Sequence, residues 1–156
     1  MSAPFARPAE ATHVPQLVAL MTEFYAESGY PLPAAAAART FQQLIDAPAL
    51  GQVWLLEYDE QPAGVVVRTL SYSMEYGGLR GFVDDFFVRP AARGRGVGAA
   101  GLAALEAAAR ARDVRALLVE TSADNTAALN VYRRAGYVAT DHLWLSRPLA
   151  PPVHEG

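Results

Sequence analysis

The residues best placed to do chemistry stand between positions 82 and 101. Asp84 and Asp85 are adjacent carboxylates in a run otherwise made of Phe82, Val83, Phe86, Phe87 and Val88. A strand alternates its side chains, so the two acids point to opposite faces unless a bulge intervenes. At least one then faces apolar surroundings, which raise a carboxyl pKa and suit it to general-base work. A few residues on, Arg93-Gly94-Arg95-Gly96-Val97-Gly98 leads from this strand into the alanine-rich segment that runs to about Arg112. A strand, a glycine loop and a helix start aim backbone N–H groups and the positive end of a helix dipole at one point, where a phosphate or pyrophosphate is held. Glycine at 94, 96 and 98 lets the backbone approach a bulky anion, and Arg89, Arg93 and Arg95 add positive charge.

The elements that must position these groups follow from periodicity. Residues 3–7 read as a short strand. Thr12 is in place to cap a helix from about His13 to Ser28, with Pro15 in its first turn, and a second helix runs from about Ala34 to Asp46. The period then changes to two: Val53–Tyr58, Ala63–Glu75 and Leu79–Val88 are strands joined by short turns, an antiparallel meander. After the glycine loop come a helix from Gly98 to Arg112, a strand from Arg115 to Glu120, a helix ending near Ala135, and a last strand from Tyr137 to Leu145. The sum is an α/β mixed sheet in the order β-α-α-β-β-β-α-β-α-β, antiparallel early and parallel around the loop, with helices on both faces.

At 156 residues the chain is the size of one domain, placed at 1–147 with a frayed tail at 148–156. It has no cysteine and no lysine, which excludes disulfides, thiolate ligands, a cysteine nucleophile and Schiff-base or P-loop lysine chemistry. Residues 1–88 carry 4 arginines and 10 acids, and residues 89–115 carry 6 arginines and 2 acids. A basic loop suits a polyanionic cofactor, the acidic half suits a small cationic second substrate, and the overall acidity disfavours nucleic acid. With no apolar leader in Met1–Gln16 and no apolar stretch of spanning length, the expected location is the cytoplasm, away from any membrane. His13, His142 and His154 lack metal-ligand spacing and receive no role, and no metal is expected.

Two motifs compete on the same glycines. Gly96-Val97-Gly98-Ala99-Ala100-Gly101 matches the dinucleotide pattern G-x-G-x-x-G, with Glu120 in place for a ribose. That pattern should start directly after its strand, whereas Arg89–Arg95 intervene, and too little chain follows Glu120 to complete a doubly wound sheet. The other match is Arg93-Gly94-Arg95-Gly96-Val97-Gly98, preceded by Phe82–Pro90 and followed by Asn125, Ala128, Tyr132 and Gly136-Tyr137. On these residues the chain resembles the GNAT superfamily of N-acetyltransferases.

The resemblance implies acetyl-coenzyme A as cofactor, with its pyrophosphate on the backbone of Arg93, Gly94, Arg95, Gly96, Val97, Gly98 and Ala99. It also implies a pantetheine arm lying between two splayed strands, against Phe86, Phe87, Val88 and Asn125. A primary ammonium must lose a proton before it attacks a thioester. The family position of Asp84 favours it as the base, with Asp85 beside it, and Tyr132 aligns with the acid that protonates the departing thiolate. Phe24, Tyr25, Tyr30 and Glu75 are candidates to hold a small-molecule amine, although the aromatics serve equally as core, Glu75 as a surface group and Asn125 as a plain helix cap. Family members are often dimers, so a homodimer is expected.

Overall fold

The valine-rich centre of the chain builds the sheet. In the computed structural model, which describes residues 3–155, the strands are β1 (Pro4–Pro8), β2 (Gly51–Tyr58), β3 (Gln61–Ser73), β4 (Gly78–Val88) and β5 (Leu117–Val119), and they lie side by side in that order. β1 to β4 pair antiparallel, and β5 pairs parallel with β4. A parallel neighbour needs a crossover, which helix α3 (Val97–Ala111) supplies.

Alternation along the strands gives the sheet two apolar faces. On one, Val53, Leu55, Val65, Val67 and Phe87 pack against Leu17, Leu20 and Met21 of α1 (Val14–Glu27) and Phe41 of α2 (Ala34–Ile45). On the other, Trp54, Leu56, Val66, Val83 and Val88 pack against Val97, Leu102 and Leu105 of α3 and Tyr132 of α4 (Thr126–Arg134). Gly101, which as a helix-interior glycine costs about 1 kcal/mol relative to alanine, is explained by this packing. A Cβ there would stand 2.9 Å from both terminal methyls of Leu56, so any larger residue makes the buried Leu56 side chain shift, and glycine lets α3 lie this close to β2 without that.

The expected elements form with shifts of a residue or two, and two expectations fail. Thr12 does not cap α1: a single 3-10 turn, Ala11–His13, precedes the helix, and the backbone N–H of Glu10 donates to His13 Nδ1 at 2.9 Å. The last strand, Tyr137–Leu145, does not form, and no main-chain hydrogen bond joins residues 138–151 to any strand. A strand needs a ladder partner. The neighbouring β5 is three residues long and offers too little edge.

The β4–β5 ladder is short for the same reason. It covers Gly81–Val83 against Leu117–Val119 and stops. From Asp84 to Val88, the side of β4 turned away from β3 has no ladder partner among the described residues.

Candidate active site

The two carboxylates come together through a register slip. Val67 of β3 faces Asp85 while the next residue, Arg68, faces Val83, so Asp84 is the extra residue of a β-bulge. Alternation is broken there, and both acids line one cavity of about 350 Å³ between β3, β4, α1 and α2, with Tyr25, Thr40 and Phe41 around them. Asp84 is exposed and Asp85 is partly buried. Removal from water, and then the charge of Asp84, push the Asp85 carboxyl up to about 6. Burial and a like charge therefore single out Asp85, where the family position alone favours Asp84. The Tyr25 hydroxyl is also raised, first by burial and then by the charges of Asp85 and Asp84.

The glycine loop has the expected form. Gly94 and Gly96 have φ of 76° and 82°, the left-handed region that glycine enters without strain. Gly96 caps α3, no acid stands in the first turn, and the first helical bond is from Ala100 N–H to the Gly96 carbonyl at 3.0 Å. The N–H groups of Val97, Gly98 and Ala99 consequently have no acceptor inside the helix. The arginines are used differently from the expectation. Arg89 makes a two-pronged pair with Glu23 of α1, at 2.8 and 2.9 Å, and donates to the Pro62 carbonyl. Arg93 donates to the Val88 carbonyl at 2.8 Å and to Glu27 at 2.5 and 2.9 Å. These two side chains staple the loop to α1. Arg95, 5.4 Å over the Tyr58 ring, has no carboxylate partner among the described residues.

Tyr132 lies on the opposite face of the sheet from the acids, buried, with its ring 5.7 Å from those of Phe86 and Tyr137. Burial, then Tyr137, then Asp85 push its hydroxyl up to about 12, so it stays protonated and able to donate at any physiological pH. The smallest of these three contributions is the Asp85 charge, which reaches Tyr132 from the other face of β4. Asn125 caps α4, its side-chain oxygen accepting from Ala128 N–H at 3.2 Å. Phe87, Val88 and Val97 bury their side chains in the two cores; what they can offer a ligand is main chain.

Three residues proposed from sequence stand apart from the cavity. Phe24 stacks on Phe87 at 5.3 Å and belongs to the core. Glu75 sits on the exposed turn 74–77 and does not line the cavity, because the β3–β4 hairpin carries it to its tip. Tyr30 is 51% exposed and reaches the site only through His154, whose ring is 4.3 Å away. Sequence reasoning missed Thr40 and Phe41 of α2 and Val153 of the tail, all of which line the cavity. The tail carries no periodic signal that could have placed it.

A sequence model of the Acetyltransferase (GNAT) family matches residues 16–137. No curated protein sequence matches significantly. Among solved structures, an integron cassette protein from the mobile metagenome of Cole Harbour Salt Marsh is 50% identical, with 96% of this chain and 93% of that one covered at a TM-score of 0.89. An aminoglycoside N-acetyltransferase in complex with CoA is 20% identical, with 96% and 97% covered at a TM-score of 0.81. A Clostridium acetobutylicum protein described as a predicted acetyltransferase, with acetyl-CoA, is 20% identical, with 96% and 97% covered at a TM-score of 0.75. The family match spans the strands, the glycine loop and the helix of Tyr132 together, and the chain belongs to the GNAT acetyltransferase family.

Proposed function

We propose that the protein transfers the acetyl group of acetyl-coenzyme A to a small primary amine by direct attack in a ternary complex. The observation that carries this is the convergence of Asp84 and Asp85 on one cavity beside the unpaired half of β4. The chain fits the cofactor: an acid-free helix start with spare N–H groups suits a pyrophosphate, and an open strand edge suits the amide-bearing pantetheine arm. Acetyl-coenzyme A supplies the thioester. Arg93 to Ala99 would hold its phosphates by main chain, with Arg95 adding charge, and the main chain of Phe86 to Val88, with Asn125, would line the arm.

Asp85 takes a proton from the acceptor ammonium, and Asp84 adds charge that draws the cation in. The neutral nitrogen would then form the new bond to the acetyl carbon as the carbon–sulfur bond breaks; the Tyr132 hydroxyl would give its proton to the departing sulfur and recover the second proton that the nitrogen sheds on becoming an amide, while Asp85 returns the first to solvent. Tyr25 borders the acceptor. A cavity of about 350 Å³ suits a small molecule better than a folded protein chain. Release of free coenzyme A is the assay, run against polyamines, amino acids, other amines and peptides. Turnover on small amines is expected, and reaction with peptides alone would overturn the proposal.

A homodimer in a reducing cytoplasm completes this reading. The exposed apolar side chains of Val138, Leu143, Trp144 and Leu145 support a partner copy, and the cysteine-free composition suits the compartment. Light scattering giving the mass of two chains is the expected result.

A further inference from the structure

Beyond Tyr137 the chain runs along the surface without a strand to join. Val138, Leu143, Leu145 and Leu149 are 85–92% exposed, and residues 138–151 make no main-chain hydrogen bond to a strand. Then the chain docks. A turn closed by Glu155 N–H donating to the Pro152 carbonyl at 2.9 Å sets the His154 ring 4.3 Å from that of Tyr30 and 6.1 Å from that of Tyr25. The His154 side chain is only 21% exposed. Val153, one residue earlier, lines the cavity that holds Asp84 and Asp85.

From these contacts we propose that the turn Pro152–Glu155 is a specificity-determining wall of the amine cavity, clasped by His154 on Tyr25 and Tyr30, with Val153 setting how large an acceptor enters. The proposal rests on the amine-acceptor reading given above. The other walls are fixed: the acids by the β3–β4 ladder, and Met21, Phe41 and Leu44 by helices packed on the sheet. This one hangs on a long tether with no ladder bonds and is held by aromatic contacts, so it shifts without breaking a strand or helix. Its apolar side chain, together with Met21, Phe41 and Leu44, gives the acceptor's body an apolar seat while its ammonium faces the acids.

The test uses full-length protein and primary amines with one kind of head and an apolar body of increasing size. Val153→Trp should lower kcat/KM for the largest amine about tenfold more than for the smallest, and Val153→Ala should move the ratio the other way. Tyr30→Ala, which loosens the clasp without touching the cavity lining, should shift the ratio in the same direction as Val153→Ala. KM for acetyl-coenzyme A and the melting temperature report any general damage, and neither should move. An unchanged ratio in all three variants, with the parent protein turning over amines, overturns the wall. A parent protein that acetylates no amine overturns the acceptor reading and the wall with it.

Discussion

Asp84 and Asp85 are consecutive in β4 and yet face one cavity, because the extra residue opposite Val67 and Arg68 cancels the alternation of the strand. Without the bulge one of the two would lie under α3. With it, burial and then the charge of Asp84 raise the proton affinity of Asp85 to a pKa of about 6, a value that suits the base role proposed for it.

Activity against pH should therefore show an acid limb. Asp85 must be ionised to accept a proton, so kcat/KM falls below an apparent pKa of about 6. Asp85→Asn should lower kcat by roughly 10²–10⁴-fold. Asp84→Asn should move the limb to lower pH, because the like charge is gone. A limb that stays in place in both variants assigns it to another group.

The same carboxyl costs stability. Its folded value, about 6, lies above its ordinary 3.8, so the folded chain binds this proton more tightly than the unfolded one. The contribution is complete below the unfolded value and is lost as pH rises through about 6, a difference on the order of 3 kcal/mol. Asp85→Asn is expected to raise the melting temperature by several degrees at pH 8 and far less at pH 4. Calorimetry at the two pH values checks it.

Tyr132→Phe removes one oxygen from a buried side chain and leaves its ring contacts with Phe86 and Tyr137 in place. The expected result is a fall in kcat of at least about tenfold with little change in cofactor affinity. With the hydroxyl pushed up to about 12, no alkaline limb below pH 10 should come from Tyr132 in the parent protein.

Two arginines of the loop should separate in mutagenesis. Arg93 is bound to Glu27 and the Val88 carbonyl, so Arg93→Ala should lower the melting temperature and change acetyl-coenzyme A affinity only slightly. Arg95 has no such anchor, so Arg95→Ala should weaken the cofactor by about three- to tenfold and leave stability alone. Titration calorimetry with thermal melts reads both.

Gly101→Ala should destabilise the protein, although alanine is the better helix former by about 1 kcal/mol. The added carbon would meet Leu56 at 2.9 Å, and overpacking costs about 1–3 kcal/mol. Combining it with Leu56→Ala should restore part of the loss relative to Leu56→Ala alone. A double-mutant cycle by chemical denaturation reads the coupling.

The sheet, the crossover and the loop were legible because each carries a local signal: the strand-forming valine run Val65–Val67, glycines at 94 and 96, an alanine-rich run after them. The motifs that carry the family resemblance covered Phe82 to Tyr137, and the earlier strands and helices agreed with it in outline. What stayed hidden depends on pairing between distant residues. The bulge at Asp84 follows from how β3 and β4 register, and the use of Arg89 and Arg93 depends on acids more than 60 residues away in α1. Tyr137–Leu145 has the composition of a strand, but composition does not provide a partner. The cavity's wall at Val153 comes from a segment with no periodicity at all.

The stretch of β4 from Asp84 to Val88 is, in effect, a third edge inside the sheet: among the described residues no strand pairs with its outer side, and only the Val88 carbonyl is met there, by the Arg93 side chain. Open strand edges recruit other chains, and carboxylates on an edge discourage this. Asp84 and Asp85 stand at the start of that edge, where their charge works against pairing with a neighbouring chain as well as serving the proposed proton transfer. An amide-bearing cofactor lying along the gap, as proposed above, would do the same work as a sixth strand. Supplying it should suppress aggregation on heating by more than the shift in melting temperature accounts for.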